Sequence, residues 1–163
     1  MSSKSIRVRD HELISYEAIL QVDGLRAALA YLLKLTDYRF IGIFRFQDGM
    51  ATAAVHYDRE NPEVLRSEEV PDTATYCCYV RDSRGVFTTA DALADPRTES
   101  HPAREVVRAY YGVPVMDPEG TILATLCHYD LVPRDPEQVD LSLMLAVSSS
   151  LASGNHVPPY PSH

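Results

Sequence analysis

The residues best suited to chemistry fall in two short segments of the chain. They are Tyr76, Cys77, Cys78 and Tyr79 in the first segment, and Tyr110, Tyr111, Cys127 and His128 in the second. Thiols can act as nucleophiles or redox groups, imidazole transfers protons, and tyrosine offers a flat apolar face with one hydrogen-bonding tip that suits a planar ligand. These side chains could line a ligand site, form a catalytic centre, or sit in a core with their hydrogen bonds satisfied.

His128 lies near the end of an otherwise apolar strand, where a histidine needs partners for both ring nitrogens. Side chains alternate between the two faces of a strand. One face therefore carries Ile122, Ala124, Leu126 and His128, and the other carries Leu123, Thr125, Cys127 and Tyr129. The sequence leaves two interpretations open: a structural histidine, or a polar contact in a ligand pocket.

The three cysteines do not form a disulfide framework, because their number is odd and adjacent cysteines rarely bridge each other. Reduced thiols in a cytoplasm fit this pattern. Cys77 and Cys78 are predicted inside a short helix, about 100° apart, so that one faces the sheet as a small apolar group. A helix N-terminus can lower the pKa of a thiol, but the two cysteines are expected several residues into their helix, which favours a structural role. Cys127 is expected in the core.

Length, charge and composition limit the classes of protein to which this sequence can belong. A length of 163 residues fits one domain. The net charge of −8 argues against nucleic acid and anionic membrane as partners, since both require a basic face. No segment approaches the ~20 apolar residues of a membrane span, and the polar N-terminus lacks an apolar signal core, so a cytoplasmic location is expected. The sequence shows no zinc-ligand spacing, Ser/His/Asp array or phosphate-binding glycine loop, so no metal and no catalysis are predicted.

The N-terminal half reads as two helices and a hairpin. Residues 1–9 are expected to form a flexible arm, followed by a helix over 10–20. Asp23 can cap a second helix whose apolar residues repeat with a period near 3.6 and which ends near Asp37. Residues 40–57 read as a hairpin around an Asp-Gly turn.

The middle of the chain is less regular. The patterns predict an exposed strand within 63–70, a short helix from Asp72, a brief strand over 85–89, and a short helix over 102–109. An irregular excursion of this length inside a compact domain is where function usually lies.

The C-terminal part reads as a second hairpin and a helix. Strands over 110–116 and 121–130 flank a turn at 117–120, with proline and glycine at its second and fourth positions. The last helix is predicted from the cap Asp135 and carries two apolar stripes, so it must bury one on the sheet and one on another helix or another chain. Residues 154–163 are expected to be a disordered tail.

An ordered series of residues resembles the GAF domain family over about residues 20 to 152. The matching positions are Cys77, Asp91, Asp95, Pro96, Arg97, Tyr110, Tyr111, Gly112, Pro114, Gly120, Thr125, Leu126, Cys127, Asp130, Pro133 and Arg134. Ala124 stands where the family more often has glycine. Family members bind cyclic nucleotides, bilins, haem or small metabolites. "LCHYD" also resembles the bilin-binding members, but the rest of their signature is missing.

The resemblance implies a layered α+β fold: a single domain over residues 10–153, with a central antiparallel sheet of about six strands. The N- and C-terminal helices would cover one face and commonly make a dimer. Short helices and loops would roof a pocket on the other face. The fold does not fix the ligand, so the cofactor stays unknown.

The predicted ligand-binding residues combine the resemblance with the chemistry of the side chains: Tyr76, Cys77, Tyr79, Asp91, Tyr110, Tyr111 and His128. A turn-capping or ion-pairing role is the alternative for Asp91, Asp95 and Arg97. Asp130 with Arg134 is interpreted as a clamp at a strand end, and His101 as an exposed residue without a role.

Three functions are compatible with this sequence. The leading hypothesis is a homodimeric, non-catalytic domain that senses an unidentified small molecule and acts on a signalling partner protein. The second is a dimerisation module whose cavity is closed by side chains. The third is a cysteine-based redox enzyme, such as the GAF proteins that reduce methionine sulfoxide.

Overall fold

Six antiparallel strands form one sheet in the computed structural model, which describes the backbone of residues 3–162 and the side chains of residues 10–162. The order across the sheet is β3-β2-β1-β6-β5-β4. The strands are β1 Phe40–Gln47, β2 Met50–Asp58, β3 Val70–Pro71, β4 Phe87–Thr89, β5 Ala109–Met116 and β6 Ile122–Asp130. The predicted sheet of six strands is confirmed.

Two hairpins build most of this sheet. In the β1–β2 turn, Asp48 and Gly49 both have positive φ, 52° and 78°, which matches the twist of the flanking strands. In the β5–β6 turn, Gly120 has φ 85°, and the Asp117 carboxylate accepts the Thr121 N–H at 2.8 Å. Both predicted hairpins are therefore confirmed, and Val113 of β5 lies opposite Leu126 of β6.

Three long helices cover one face of the sheet. These are α1 Ser3–Asp23, α2 Leu25–Lys34 and α4 Leu141–Ser153. Fully buried side chains from both layers meet in one core, among them Ile43 and Leu126 from the strands and Leu29, Leu33 and Val147 from the helices. The opposite face carries the short helix α3 Cys77–Ser83 and several loops.

Several helices begin later than predicted. Asp23 completes α1, so α2 begins after Gly24, whose φ of 95° lets the chain reverse. Asp135 caps only a single 3-10 turn, because Val139 is buried in an extended conformation and ends that turn. α4 then begins at Leu141, where the Asp140 carboxylate accepts the Leu143 N–H at 3.1 Å.

The middle of the chain contains less regular structure than predicted. Only Val70–Pro71 pairs as a strand within the predicted segment 63–70. Residues 102–106 form turns rather than a helix, with the Val107 N–H donating to the Ala103 carbonyl at 2.9 Å. The helix predicted from Asp72 is a 3-10 turn followed by α3, which begins at Cys77.

Both ends of the chain differ from prediction. Residues 3–9 of the predicted arm belong to α1, whereas residues 1 and 2 lie outside the described residues. Residues 154–162 lack regular structure, but they pack against the domain, whereas residue 163 of the predicted disordered tail lies outside the described residues. The Arg45 guanidinium donates to the Pro158 carbonyl at 2.9 Å, Tyr160 bonds to Glu69, and Val157 contacts the core.

Candidate functional site

A cavity of about 350 Å³ opens on the sheet face that the long helices leave uncovered. Strands β1, β5 and β6 form its floor, and the segments 67–70, 74–77 and 103–107 form its walls and roof. Its lining residues are mostly apolar or aromatic: Phe44, Ser67, Glu68, Val70, Ala74, Thr75, Tyr76, Cys77, Ala103, Val106, Val107, Tyr110, Cys127 and Tyr129. Such a composition suits burial of a largely apolar ligand.

Tyr110 lies flat on the floor of the cavity because Gly112, the next residue of β5 on the same face of the sheet, has no side chain. A Cβ atom at Gly112 would stand 2.4 Å from the Tyr110 hydroxyl, so any larger residue would displace the ring. The Tyr110 hydroxyl donates to the Cys77 Sγ at 3.2 Å. This hydrogen bond joins β5 to the start of α3 and closes the inner end of the cavity.

Tyr129 is fixed by a buried histidine at the edge of the cavity. The His56 Nε2 lies 2.5 Å from the Tyr129 hydroxyl, and the Tyr129 ring stacks on Phe40 with centroids 4.6 Å apart. Burial lowers the pKa of His56 to about 4, so the ring is neutral at pH 7. The aromatic face that Tyr129 presents to the cavity is therefore held in one position.

His101 holds the roof together, although the sequence pattern indicated an exposed residue without a role. Its side chain is buried, and its ring lies on Tyr76 with centroids 4.4 Å apart. The Nδ1 atom accepts the Ala103 N–H at 3.0 Å, which leaves Nε2–H to donate to the Thr75 carbonyl at 3.1 Å. The ring is therefore neutral, in agreement with a pKa lowered by burial.

The lining of the cavity contains one acidic side chain and no basic one. No arginine, lysine or histidine side chain is among the lining residues, and the one ionisable carboxylate among them belongs to the exposed Glu68. The predicted ion pairs lie elsewhere and are confirmed as structural. Asp95 pairs with Arg97 at 2.6 Å, and Asp130 pairs with Arg134 at 2.8 Å.

The structure brings three of the seven predicted ligand-binding residues to this cavity: Tyr76, Cys77 and Tyr110. Tyr79 packs behind Tyr76, with ring centroids 6.1 Å apart, and is absent from the lining. Asp91 is held by a bidentate pair with Arg108, at 2.8 and 3.0 Å, and caps a 3-10 turn instead of reaching the cavity.

Tyr111 and His128 lie on the opposite face of the sheet, beneath the long helices. Tyr111 belongs to the core that contains Leu29 and Leu33. His128 is fully buried with its ring 5.7 Å from that of Tyr38, and burial lowers its pKa to about 3. Strand alternation places both positions on the face opposite to Tyr110 and Cys127, so neither lines the cavity described above. His128 instead borders a second cavity of about 310 Å³ lined by residues of α2 and α4, and its Nε2 has no hydrogen-bond partner among the described residues. Their role in ligand binding stays a prediction.

Sequence reasoning missed several lining residues, notably Phe44, Val107, Cys127 and Tyr129. The sequence does contain a pattern that places Cys127 and Tyr129 on the cavity side of the sheet. The strand face that carries His128 also carries Ile122, Ala124 and Leu126, and so apolar a face is the one expected under a helix layer. The opposite face should then border the cavity. Val107 gave no comparable signal, because it lies in an irregular segment.

The chain belongs to the GAF domain family, whose model matches residues 23–154. Among curated proteins, a cyclic di-GMP phosphodiesterase of Pseudomonas aeruginosa is 37% identical over 75 residues, which are 44% of this chain and 13% of that protein. The chain therefore spans only a small part of that relative's length.

Solved GAF structures share the fold at low sequence identity. The GAF domain of an Acinetobacter phosphoenolpyruvate-protein phosphotransferase has a TM-score of 0.69 at 14% identity, covering 94% of this chain and 93% of that one. A free methionine-R-sulfoxide reductase from Neisseria meningitidis has a TM-score of 0.71 at 14% identity, covering 96% and 93%. The chromophore-binding domain of a bacteriophytochrome from R. palustris has a TM-score of 0.67 at 11% identity, covering 96% and 63%. These likenesses establish the fold alone.

Two further observations concern the part of the chain that the structure describes. Within residues 3–162, no helix is both long and apolar enough to cross a membrane. Over the same residues, no group of three or more His, Cys, Asp or Glu side chains is placed to hold a metal ion.

Proposed function

We propose that this GAF domain is a non-catalytic sensory domain that binds a neutral or cationic, ring-bearing small molecule in the cavity above β1, β5 and β6. The observation that carries the proposal is the lining: aromatic and aliphatic side chains with no basic group among them. A phosphate or carboxylate buried there would lack a positive partner, which is costly. The lining therefore disfavours cyclic nucleotides, although one relative is a cyclic di-GMP phosphodiesterase.

The polar groups of the cavity support binding rather than catalysis. The Tyr110 hydroxyl is engaged with Cys77, and the Tyr129 hydroxyl with His56. The Tyr76 hydroxyl is buried and has no hydrogen-bond partner among the described residues, so it is available to a ligand. An open cavity of this size also weighs against the hypothesis of a module closed by its own side chains.

Tryptamine, an indole ring with a cationic tail, is a suitable probe for the location of the site. We expect methyl NMR spectra to show saturable shifts for Val70, Val106 and Val107, which line the cavity. The methyl signals of Val113 and Val147, in the core under the long helices, should move little. Shifts confined to these two core valines, or no saturable shift at all, would contradict the proposed site.

We also propose that the chain forms a homodimer through its terminal helices, which would pass a change at the cavity to a partner signalling protein. Leu141 and Leu145 of α4 are 41% and 46% exposed, and Ile14 of α1 is 65% exposed. The two helices contact each other. They therefore present apolar side chains on the surface of the helix layer, in support of the two-sided helix that the sequence predicts.

Leu145→Glu should convert the dimer to a monomer, because it would place a charge within an apolar interface. Light scattering coupled to size-exclusion chromatography measures the mass directly. Leu65→Glu is the matched control, since Leu65 is also exposed but lies outside the helices. A wild-type protein that is monomeric at high concentration, or a dimer that tolerates Leu145→Glu, would rule out this interface.

A further inference from the structure

Two thiols from distant parts of the chain meet at the inner end of the cavity. Cys77 opens α3, Cys127 lies in the middle of β6, and both line the cavity. Both thiols belong to one buried cluster, and the Tyr110 hydroxyl donates to the Cys77 Sγ at 3.2 Å. The proposed ligand site does not need a thiol pair, so this arrangement calls for a separate explanation.

The surroundings of the two thiols make them unequal. Burial raises the pKa of Cys77, but hydrogen bonds from Cys127 and Tyr110, among others, outweigh it, so the pKa lies below its usual value. Burial leaves the pKa of Cys127 well above its usual value. Within the pair, Cys77 is therefore the thiol that loses its proton more readily, and the thiolate is the reactive form.

We infer that Cys77 and Cys127 form an oxidant-responsive dithiol, which hydrogen peroxide entering the cavity converts to an intramolecular disulfide. The Cys77 thiolate attacks one peroxide oxygen and breaks the O–O bond, giving a sulfenic acid and a hydroxide that takes up a proton to become water. The Cys127 sulfur then attacks the Cys77 sulfur, and the sulfenic oxygen leaves as a second water with the Cys127 proton. Both sulfurs are oxidised, and the peroxide is reduced.

The disulfide would alter the cavity from within. It would tie the start of α3 to β6 and convert the sulfur that accepts the Tyr110 hydrogen bond into a disulfide sulfur. Since Tyr110 forms part of the cavity floor, oxidation should change ligand binding as well as the thiol state. The inference goes beyond the proposed function, because the disulfide can form whether or not a ligand binds.

Cys78 provides an internal control. It is adjacent to Cys77 but absent from the cavity lining, and burial raises its pKa to about 11. Neither of the hydrogen bonds that favour the Cys77 thiolate reaches it. A reaction that depended only on the presence of cysteines would not distinguish between these two neighbours, whereas the proposed reaction does.

The test is oxidation of the reduced full-length chain with hydrogen peroxide, followed by alkylation under denaturing conditions and peptide mapping. We expect a Cys77–Cys127 cross-link, one alkylated thiol at Cys78, and full reversal by dithiothreitol. The same treatment in urea should lose this selectivity. Three free thiols after oxidation, a bridge that contains Cys78, or a bridge between two chains would overturn the inference.

Variants extend the test. Cys78→Ser should still form the disulfide, whereas Cys127→Ser should stop at a Cys77 sulfenic acid that dimedone traps. Cys77→Ser should form neither product. Dimedone labelling of Cys127→Ser at a residue other than Cys77 would contradict the assignment of Cys77 as the attacking thiol. The wild-type peptide map needs no variant to fold, so it decides the main point by itself.

Discussion

Lowering the pH from 7 to 5 is expected to reduce the free energy of unfolding by about 4 kcal/mol through His56 and His128. Each histidine that stays neutral in the fold costs about 1.4 kcal/mol per pH unit below its unfolded pKa, and His101, whose pKa burial also lowers, acts in the same direction. Burial lowers the pKa of His56 to about 4 and of His128 to about 3, from an ordinary value of 6.5. The unfolded chain therefore binds protons first as the pH falls. The stability is fully present above pH 6.5 and is lost progressively toward pH 4 and below.

This loss of stability should begin at a higher pH than the loss caused by protonation of the carboxylates. Burial raises the pKa of the Asp58 carboxyl, but hydrogen bonds from Arg39, the Glu60 N–H and Asn61 together outweigh it and lower this pKa to about 2. Its contribution to stability therefore disappears only as the pH falls through the range from 3.8 to 2. A destabilisation that begins near pH 6.5 therefore reports the histidines. Urea unfolding curves at pH 7 and pH 5 measure it.

Single histidine variants assign the effect. The free energy of unfolding should differ less between pH 7 and pH 5 in His56→Gln and in His128→Gln, by about 2 kcal/mol in each variant. This reduction is expected whatever effect the substitution has on stability at pH 7. His11→Gln is the matched control, because His11 is exposed on α1 and should leave the difference unchanged. Equal stability of the wild-type protein at both pH values would show that these two rings are not buried as described.

Local patterns account for the parts of the fold that the sequence predicts well. The Asp-Gly turn after β1 and the turn with Gly120 before β6 have backbone requirements that few residues meet, so both hairpins are recognisable from short segments. The apolar period of α2 is equally local. The start of α4 was misplaced because two aspartates, Asp135 and Asp140, can each cap a turn.

The candidate site is harder to predict, since it depends on contacts between distant segments. Alternation separates Tyr110 from Tyr111 and Cys127 from His128, but by itself it does not say which face the long helices cover. The roles of Cys77 and His101 depend on tertiary hydrogen bonds with Tyr110 and Thr75. No periodicity in a single sequence encodes such pairs.

The proposed site selects ligands by shape and charge and prefers a ring without negative charge. Three probes share the indole ring and differ in the tail: tryptamine is a cation, 3-ethylindole is neutral, and indole-3-propionate is an anion. An ion pair with the exposed Glu68 contributes up to about 1 kcal/mol, and contact with the tyrosine faces adds about 0.5–1 kcal/mol for a cation. Tryptamine should therefore bind about tenfold more tightly than indole-3-propionate.

Glu68→Gln tests the origin of this preference. It should weaken tryptamine binding by about two- to fivefold and leave 3-ethylindole unchanged, in keeping with the modest energy of an exposed ion pair. Glu63→Gln is the matched control, because Glu63 lies on the same exposed segment but does not line the cavity. An equal loss in both variants would indicate a general effect of net charge rather than a contact.

Isothermal titration of the wild-type protein with the three probes is the most direct measurement. The proposed site predicts that the cation binds most tightly, the neutral probe less tightly and the anion most weakly. Binding of indole-3-propionate as tight as that of tryptamine, or tighter, would contradict the charge selectivity while leaving a ligand site in place. Binding of none of the three would contradict the ligand site itself.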